Sequence, residues 1–478
     1  MAKYVSELLP LRVLELYSGI GGMHCALNES GIDFEITAAI DINPMANKLY
    51  RCNFPKTNAL ETGIEALTEK KLDSMQVDMV VMSPPCQPFT RVGKQKDADD
   101  GRTSSFFHFL QLLRKMKKCP SYILVENVRG FETSRTHEKL LETLNLCDYL
   151  YQEFLLTPLQ FGIPNARLRY YLLAKKRPME FGFKISPEVM MSVPTCCEQM
   201  LIHKYSKLEV TCFCRETSFS EEQGVSKCDK DQQTKVKDNS ECNISRPKLD
   251  IETSENPVNI GEGVEPTGCL SVPSKENSII NKSLCETSQS NKVPCSDNKK
   301  CIAHHGQNMR QAVDEDHKPY PGCQLLGHFL EDKPVEYFNK FLLSDKELKR
   351  FVIMDIANSC LRKTTCFTKR YGHFTQGAGS IFQMTTDSAV MNRASDLKVF
   401  TEQQHNRDDW GETELSTLHQ LKLRYFTPQE IANLLCFPKS YCFPSDMTNI
   451  QLYRLLGNSL NVHVVGVLLQ LLTMGDNS

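Results

Sequence analysis

The chain has 478 residues and a formal net charge of −2, with 56 Lys and Arg against 58 Asp and Glu. That length holds two or three domains, and the near-zero balance excludes a global basic field, so any nucleic-acid contact has to come from local patches. No apolar stretch is expected to reach a membrane span, and Met1 to Glu7 has neither the basic nor the apolar region of a secretory leader. Twenty cysteines read as reduced thiols of an intracellular chain. No Cys-x-x-Cys pair occurs. Cys212-x-Cys214 and His304-His305 lack zinc-ligand spacing, so no metal is expected.

In chain order, Arg12 to Tyr17 reads as a strand, Ser18-Gly19-Ile20-Gly21-Gly22 as a turn, and Met23 onward as a helix. A glycine-rich turn of this kind lets backbone approach a ligand, but dinucleotide and phosphate sites share it, and a plain strand-to-helix turn looks the same. Ile36 to Ile40 is a second buried strand ending in Asp41, an acid placed to meet the two hydroxyls of a ribose. Pro44 to Asn53 is a helix with proline in its first turn. Gly63 to Leu67 follows a third strand. Glu65 there suits a helix dipole as well as a ligand.

Asp78 to Met82 is a continuous apolar run, the pattern of a strand covered on both faces. Ser83-Pro84-Pro85 ends it and holds the backbone extended, so Cys86 projects from the carboxyl end of the strand, where open α/β sheets bind ligands. A cysteine is more often a small buried hydrophobe. The proline frame and the strand end favour a nucleophile instead. Arg91 to Arg102, with Gly93 and Gly101, is a polar loop, either substrate-facing or merely solvated. Thr103 to Lys118 reads as a helix. Tyr122 to Val125 is the next strand and brings Glu126-Asn127-Val128 to the same edge as Cys86. An acid at that place needs a partner or a task. His137 to Cys147 is a helix, and Tyr151 to Thr157 and Arg169 to Lys175 are strands. Between the strands, Arg167 and Arg169 alternate and so share a face, suited to a phosphate, a base carbonyl or an ion pair.

Thr195 to Tyr320 changes character, rich in Ser, Asn, Lys, Glu and Asp without period, a composition of disorder. Lengthening a connection from ~6 to ~130 residues costs only about 2–3 kcal/mol of closure entropy. Order returns at Cys323. Phe329 to Ile356 has helix-like apolar spacing. Cys366-Phe367-Thr368-Lys369-Arg370-Tyr371 interleaves basic, aromatic and hydroxyl groups, a composition suited to phosphates and an unstacked base. Thr427, Pro428 and Glu430 write a capping box. Gly457-Asn458-Ser459 precedes a last apolar helix to Leu472.

In these residues the chain resembles the cytosine-5 methyltransferases. The resemblance rests on Ser18 to Gly22, Pro84-Pro85-Cys86-Gln87, Glu126-Asn127-Val128, the Arg167/Arg169 pair with Asn165 where the family usually carries Gln, and Gly457-Asn458-Ser459. Cys366-Phe367-Thr368 is similar to the branch that acts on tRNA. The resemblance implies a doubly wound, mostly parallel α/β sheet with S-adenosylmethionine as methyl donor. Its catalytic residues would be Cys86, Glu126, Arg167 and Arg169. Ser18, Ile20, Gly21, Gly22, Asp41, Ile64, Glu65, Ser83, Asn458 and Ser459 would hold the cofactor. Cys366, Phe367, Thr368, Lys369 and Arg370 would meet the substrate. That substrate would be RNA, cytosine 38 of the aspartate tRNA anticodon loop, in the cytoplasm with the nucleus as a second compartment. Alternatives are a DNA cytosine-5 methyltransferase and a binding module without chemistry. The expected parts are a catalytic domain over 1–194, an insertion over 195–320, a target-recognition domain over 321–424, and a return to the catalytic domain over 425–478.

Overall fold

The structure is a computed structural model, and it describes residues 9–85, 104–195, 322–404 and 411–475. A seven-stranded sheet is built from β1 (Leu11–Leu16), β2 (Phe34–Asp41), β3 (Ala59–Glu61), β4 (Met79–Met82), β5 (Tyr122–Val128), β6 (Tyr149–Leu156) and β7 (Arg169–Lys176). Their order is β3-β2-β1-β4-β5-β7-β6. Every neighbouring pair from β3 to β5 is parallel, while β7 runs antiparallel to both β5 and β6. The chain leaves β1 toward one edge and returns at β4 on the other side, so a switch point opens between β1 and β4.

The apolar runs of the sequence follow from burial on both faces. Val13, Met79, Val81 and Leu124 join one apolar cluster, and their chain neighbours Leu14, Val80, Met82, Ile123 and Val125 join the other. Successive strand residues point to opposite faces, so a strand covered twice has no polar side to show. Helix α1 (Gly22–Ser30) and the C-terminal helix Val462–Thr473 cover the first face together. Gly466 lets them close up: a Cβ there would stand 3.4 Å from the Ala26 carbonyl. Gln470 Nε2 donates to the Ser30 carbonyl at 3.0 Å.

The expected element positions hold to within a few residues, and α2 spans Pro44–Asn53 with Asn43 as its N-cap. Two expectations need correction. Phe329 to Ile356 is not a helix. It is a chain of short turns, Leu326–Phe329, Val335–Phe341, Asp345–Leu348 and Phe351–Ile353. Pro334 precedes the second turn, and Ser344 with Glu347 caps the third, so the period restarts each time. Second, Asn449–Thr473 does have the length and mean hydropathy, 1.6, of a membrane span. It is two helices broken at Asn458–Asn461, and most of it is buried in the core.

A smaller sheet, ordered β10-β9-β8, is formed by β8 (Ile356–Ala357), β9 (Ile381–Gln383) and β10 (Leu423–Arg424). Its Ile381 and Leu423 belong to the same apolar cluster as Val13 and Leu468. The expected insertion, Cys212, Cys214, His304 and His305 with it, lies outside the described residues apart from Thr195. Among the described residues no group of three or more His, Cys, Asp or Glu is placed to hold a metal.

Candidate active site

The switch point carries a cavity of about 360 Å³ at the carboxyl edge of β1, β2, β4 and β5. Its first wall is the turn after β1. Gly19 and Gly21 have φ of 52° and 85°, and a Cβ at Gly21 would overlap the Phe54 ring. A Cβ at Gly22 would stand 2.9 Å from Leu460 Cγ. Glycine is therefore required here by both torsion and space. Asp41, at the end of β2, ties the turn down. Gly19 N donates to its Oδ2 at 2.8 Å and Asn43 N donates to its Oδ1 at 2.7 Å. Burial pushes the Asp41 carboxyl up, against the pull of those two amides. Each oxygen keeps a second lone pair for a ligand hydroxyl. Beside it Ser18 Oγ is buried without a hydrogen-bond partner.

The opposite wall is polar and buried. Glu126 sits within β5, opposite Tyr171 of β7. Its Oε1 is 3.5 Å from Arg169 Nε, and both side chains are largely buried. Burial raises the Glu126 carboxyl above its ordinary value, with Arg169 and then Arg167 opposing. Arg167 Nη1 donates to the Phe367 carbonyl at 3.3 Å and to Cys366 Sγ at 3.5 Å. Its Nη2 donates to the carbonyls of Gly457 and Ser459. Arg169 Nη2 reaches Cys366 Sγ at 3.6 Å. Burial alone would raise the Cys366 thiol, but the two guanidinium groups outweigh it and the thiol is lowered. Asn165 Nδ2 donates to Thr364 Oγ1 and to the Thr365 carbonyl, both at 3.1 Å. This side chain fastens Thr364 and Thr365 to the sheet.

The cavity brings together Ser18, Ile20, Gly22, Asp41, Ser83, Glu126, Arg167, Arg169, Lys369, Asn458 and Ser459 from the expected set. Cys86 lies outside the described residues. Pro84 and Pro85, which lead to it, line the cavity. Gly21 shapes the turn from behind. Ile64 is not in the cavity. It is 3% exposed and joins the apolar cluster under the sheet with Leu14 and Ile40. Exposed Glu65 accepts from Ser104 Oγ at 3.2 Å and does not line the cavity. Cys366 and Thr368 stand just behind the lining, and Arg370 is exposed, 5.6 Å from the Phe374 ring. Phe367 is a correction: its ring is 2% exposed, packed edge-on against Tyr371 and Phe426, so it cannot stack on a base.

Sequence reasoning missed Tyr17, Ile42, Asn43 and Leu455 as lining residues. Tyr17 has a φ of 54°, a torsion that no sequence pattern announces for a tyrosine at a strand end. Asn127 had a signal, being inside the Glu-Asn-Val stretch. Its Nδ2 donates to the Pro84 carbonyl at 3.5 Å, steadying the approach to Cys86.

The cavity therefore offers a buried acid held by two amides on one side and a raised carboxyl paired with arginine on the other. The profile of the C-5 cytosine-specific DNA methylase family matches residues 11–472. The chain is 38% identical to a Homo sapiens tRNA (cytosine(38)-C(5))-methyltransferase, over 97% of this chain and 99% of that one. It is 33% identical to a Dictyostelium discoideum DNA (cytosine-5)-methyltransferase, over 97% of this chain and 94% of that one. A solved mutant of Spodoptera frugiperda DNMT2 superposes with a TM-score of 0.63 at 31% identity, covering 97% of this chain and 99% of that one. By sequence, fold and the layout of this cavity, the chain belongs to the C-5 cytosine-specific DNA methylase family.

Proposed function

We propose that this chain methylates carbon 5 of cytosine 38 in a tRNA anticodon loop, aspartate tRNA foremost, with S-adenosylmethionine as donor. The observation that carries the reading is Glu126, a buried carboxyl raised toward its protonated form in the same cavity as Asp41 and the glycine turn. The fit to the cofactor rests on the unpartnered Ser18 Oγ, the spare lone pairs of Asp41, and a turn with no room for a Cβ at Gly21 or Gly22. Asp41 would hold the ribose hydroxyls, and Ser18, Ile20, Gly22, Asn458 and Ser459 would line the rest. S-adenosylmethionine, when bound, supplies an electrophilic methyl group on a sulfonium.

The chain's own residues prepare the acceptor. The Cys86 thiolate adds to carbon 6 of the cytosine. Cytosine is a poor acceptor until nitrogen 3 is hydrogen-bonded or protonated, and the raised Glu126 carboxyl is suited to give that hydrogen bond. Carbon 5 thereby becomes nucleophilic. After methylation the carbon 5 proton passes to water, its electron pair re-forms the carbon 5–carbon 6 double bond, and the bond from carbon 6 to sulfur breaks to release the Cys86 thiolate. Arg169 holds Glu126 in place, and Arg167 fastens the substrate-facing segment through the Phe367 carbonyl.

RNA is favoured over duplex DNA on two grounds. The relatives that share most of the chain include the tRNA (cytosine(38)-C(5))-methyltransferases. A loop base also costs less to extrude than a paired one, and this chain of net charge −2 carries no overall basic excess to offset duplex opening. The test is transfer of labelled methyl from S-adenosylmethionine to tRNA and to duplex DNA at matched salt. Transfer to tRNA alone, or to tRNA far faster, is expected. Equal rates on both, or transfer only to DNA, would move the substrate to DNA and leave the cytosine chemistry standing.

A further inference from the structure

The helix Asn449–Gly457 lies against the segment 366–372 along its length. Tyr453 packs edge-on against Tyr371, with ring centroids 5.1 Å apart. A Cβ at Gly372 would stand 2.7 Å from Tyr453 Cδ2. At the other end of the contact the approach is backbone to backbone. A Cβ at Gly457 would overlap the Thr368 carbonyl carbon and the Lys369 nitrogen, and would stand 2.5 Å from the Thr368 carbonyl oxygen. Those atoms are main chain, so no rotamer change relieves the overlap. Both sides are also tied. Thr368 N donates to the Ala378 carbonyl at 2.8 Å, and Arg167 donates to the carbonyls of Phe367, Gly457 and Ser459 at once. Lys369 is the residue delivered into the cavity by this contact, on the same rim as Gly457 and Asn458.

We propose that Gly457 is a positioning residue: it permits the close backbone docking that sets Lys369 at the cavity, where its ammonium meets a phosphate of the substrate strand. This rests on the reading of the cavity as a nucleic-acid methylation site. Glycine is a poor residue for the last turn of a helix, and alanine would favour the helix by ~1 kcal/mol if space allowed. The docked backbone denies that space. Gly457 does not touch substrate in this account. It acts through Lys369, and that makes the proposal separable from a purely structural role by a double-mutant cycle.

The experiment uses the full chain with tRNA, comparing wild type, Gly457→Ala, Lys369→Ala and the double variant. Three quantities are read: the tRNA KM with kcat, the tRNA dissociation constant against salt, and S-adenosylhomocysteine affinity by calorimetry. Each single variant is expected to raise the tRNA KM about tenfold, the scale of one charge-assisted phosphate contact. The salt slope of tRNA binding should fall by about one in both. The double variant should resemble either single one, because the same contact is lost, and S-adenosylhomocysteine affinity should change far less than the tRNA KM. Additive losses in the double variant would overturn the proposal. So would a loss of cofactor affinity as large as the loss of tRNA affinity, which would make Gly457 a part of the cofactor turn. If Gly457→Ala does not fold, Lys369→Ala still decides, since an unchanged KM and salt slope would leave Gly457 nothing to position. Wild-type methylation of DNA in place of tRNA would refute the substrate assignment alone, and the same cycle read on DNA would then judge Gly457.

Discussion

The sheet over residues 11–176 and the segment over 322–424 are organised by opposite means. In the sheet, order comes from apolar strands covered on both faces, and Val13, Leu14, Leu16, Val81 and Leu124 show no measurable exposure. The later segment has three strands of two or three residues, a series of short turns, and the helices Ser388–Gln404 and Glu412–Gln420. Besides the apolar cluster it shares with the sheet, buried polar groups tie its irregular backbone. Arg424 lies between the Phe338 and Phe382 rings and makes a two-pronged bond to Glu430, Nη1 to Oε2 at 2.7 Å and Nη2 to Oε1 at 2.8 Å. Glu430 also accepts from the amides of Thr427 and Glu331. Main chain without regular ladders needs side-chain partners when buried, whereas the sheet satisfies itself. The active cavity is where the two kinds of order meet, with the glycine turn from one and Lys369 from the other.

The largest effect should come from breaking the chemistry while leaving the sheet intact. Cys86→Ala is expected to lower methylation by more than about a thousandfold. Cofactor affinity by calorimetry should stay unchanged, because Asp41 and the turn belong to a different part of the sheet edge. Activity close to that of wild type would remove Cys86 as nucleophile. Glu126→Gln keeps the shape and removes the ionisable carboxyl, and should cost ~10²–10³-fold in kcat. A Glu126→Gln enzyme with full kcat would show that the carboxyl only pairs Arg169.

The next effect tests the polar anchoring itself. Glu430→Ala leaves the Arg424 guanidinium buried and unpaired, with an expected loss of ~3–5 kcal/mol in urea unfolding. Leu14→Ala, its apolar counterpart in the sheet, should cost ~2–5 kcal/mol through the cavity it opens. A small cost for Glu430→Ala, below about 1 kcal/mol, would mean that the segment is ordered by its aromatic contacts and not by the ion pair.

The same contrast explains what could be read before the structure. The strands, the Pro44–Asn53 helix and the Thr427 capping box were legible because period, proline position and cap chemistry act locally. Arg167 and Arg169 were legible as a pair, since alternation alone puts them on one face. Their partners were not. The contacts with Cys366, Phe367 and Gly457 join residues some 200 to 290 positions apart, and no local pattern encodes them. Phe367 misled for a related reason: the aromatic and basic residues of 366–371 look alike in sequence, but Phe367 and Tyr371 fill the core and Lys369 faces the cavity. The run from Phe329 to Ile356 misled because a sequence of capped turns repeats at nearly the helical spacing.

A third prediction sharpens the role of the sheet edge. Asp41→Ala should weaken S-adenosylmethionine binding by ~1.5–3 kcal/mol, the scale of charge-assisted hydrogen bonds to a carboxylate. Part of that loss is indirect, because the Gly19 and Asn43 amides lose their acceptor. Asp41→Asn retains one acceptor oxygen and should lose less. Calorimetry that finds both variants equal to wild type would remove Asp41 from the cofactor site.

The smallest expected effect concerns a polar group placed inside the apolar sheet, against its general rule. Glu15 on β1 is fully buried, and burial pushes its carboxyl from 4.5 up to about 8. The Tyr50 hydroxyl, donating to Oε2 at 2.7 Å, and the backbone at His24 pull it down, while Asp41 adds to the rise. His24 is itself lowered to about 4 by burial, so it stays neutral through the range that matters. The folded chain thus binds the Glu15 proton more tightly than the unfolded chain. That contribution to stability is complete below pH 4.5 and is lost as pH rises through about 8. Glu15→Gln carries no charge at any pH and keeps an acceptor for Tyr50. It should match wild type near pH 4 and exceed it by ~1–3 kcal/mol near pH 8.5, the discounted scale of a shift of this direction. Urea unfolding at the two pH values measures the difference. Parallel stability curves for the two proteins would mean that Glu15 is ionised when folded, and that its unpartnered Oε1 finds compensation inside the sheet.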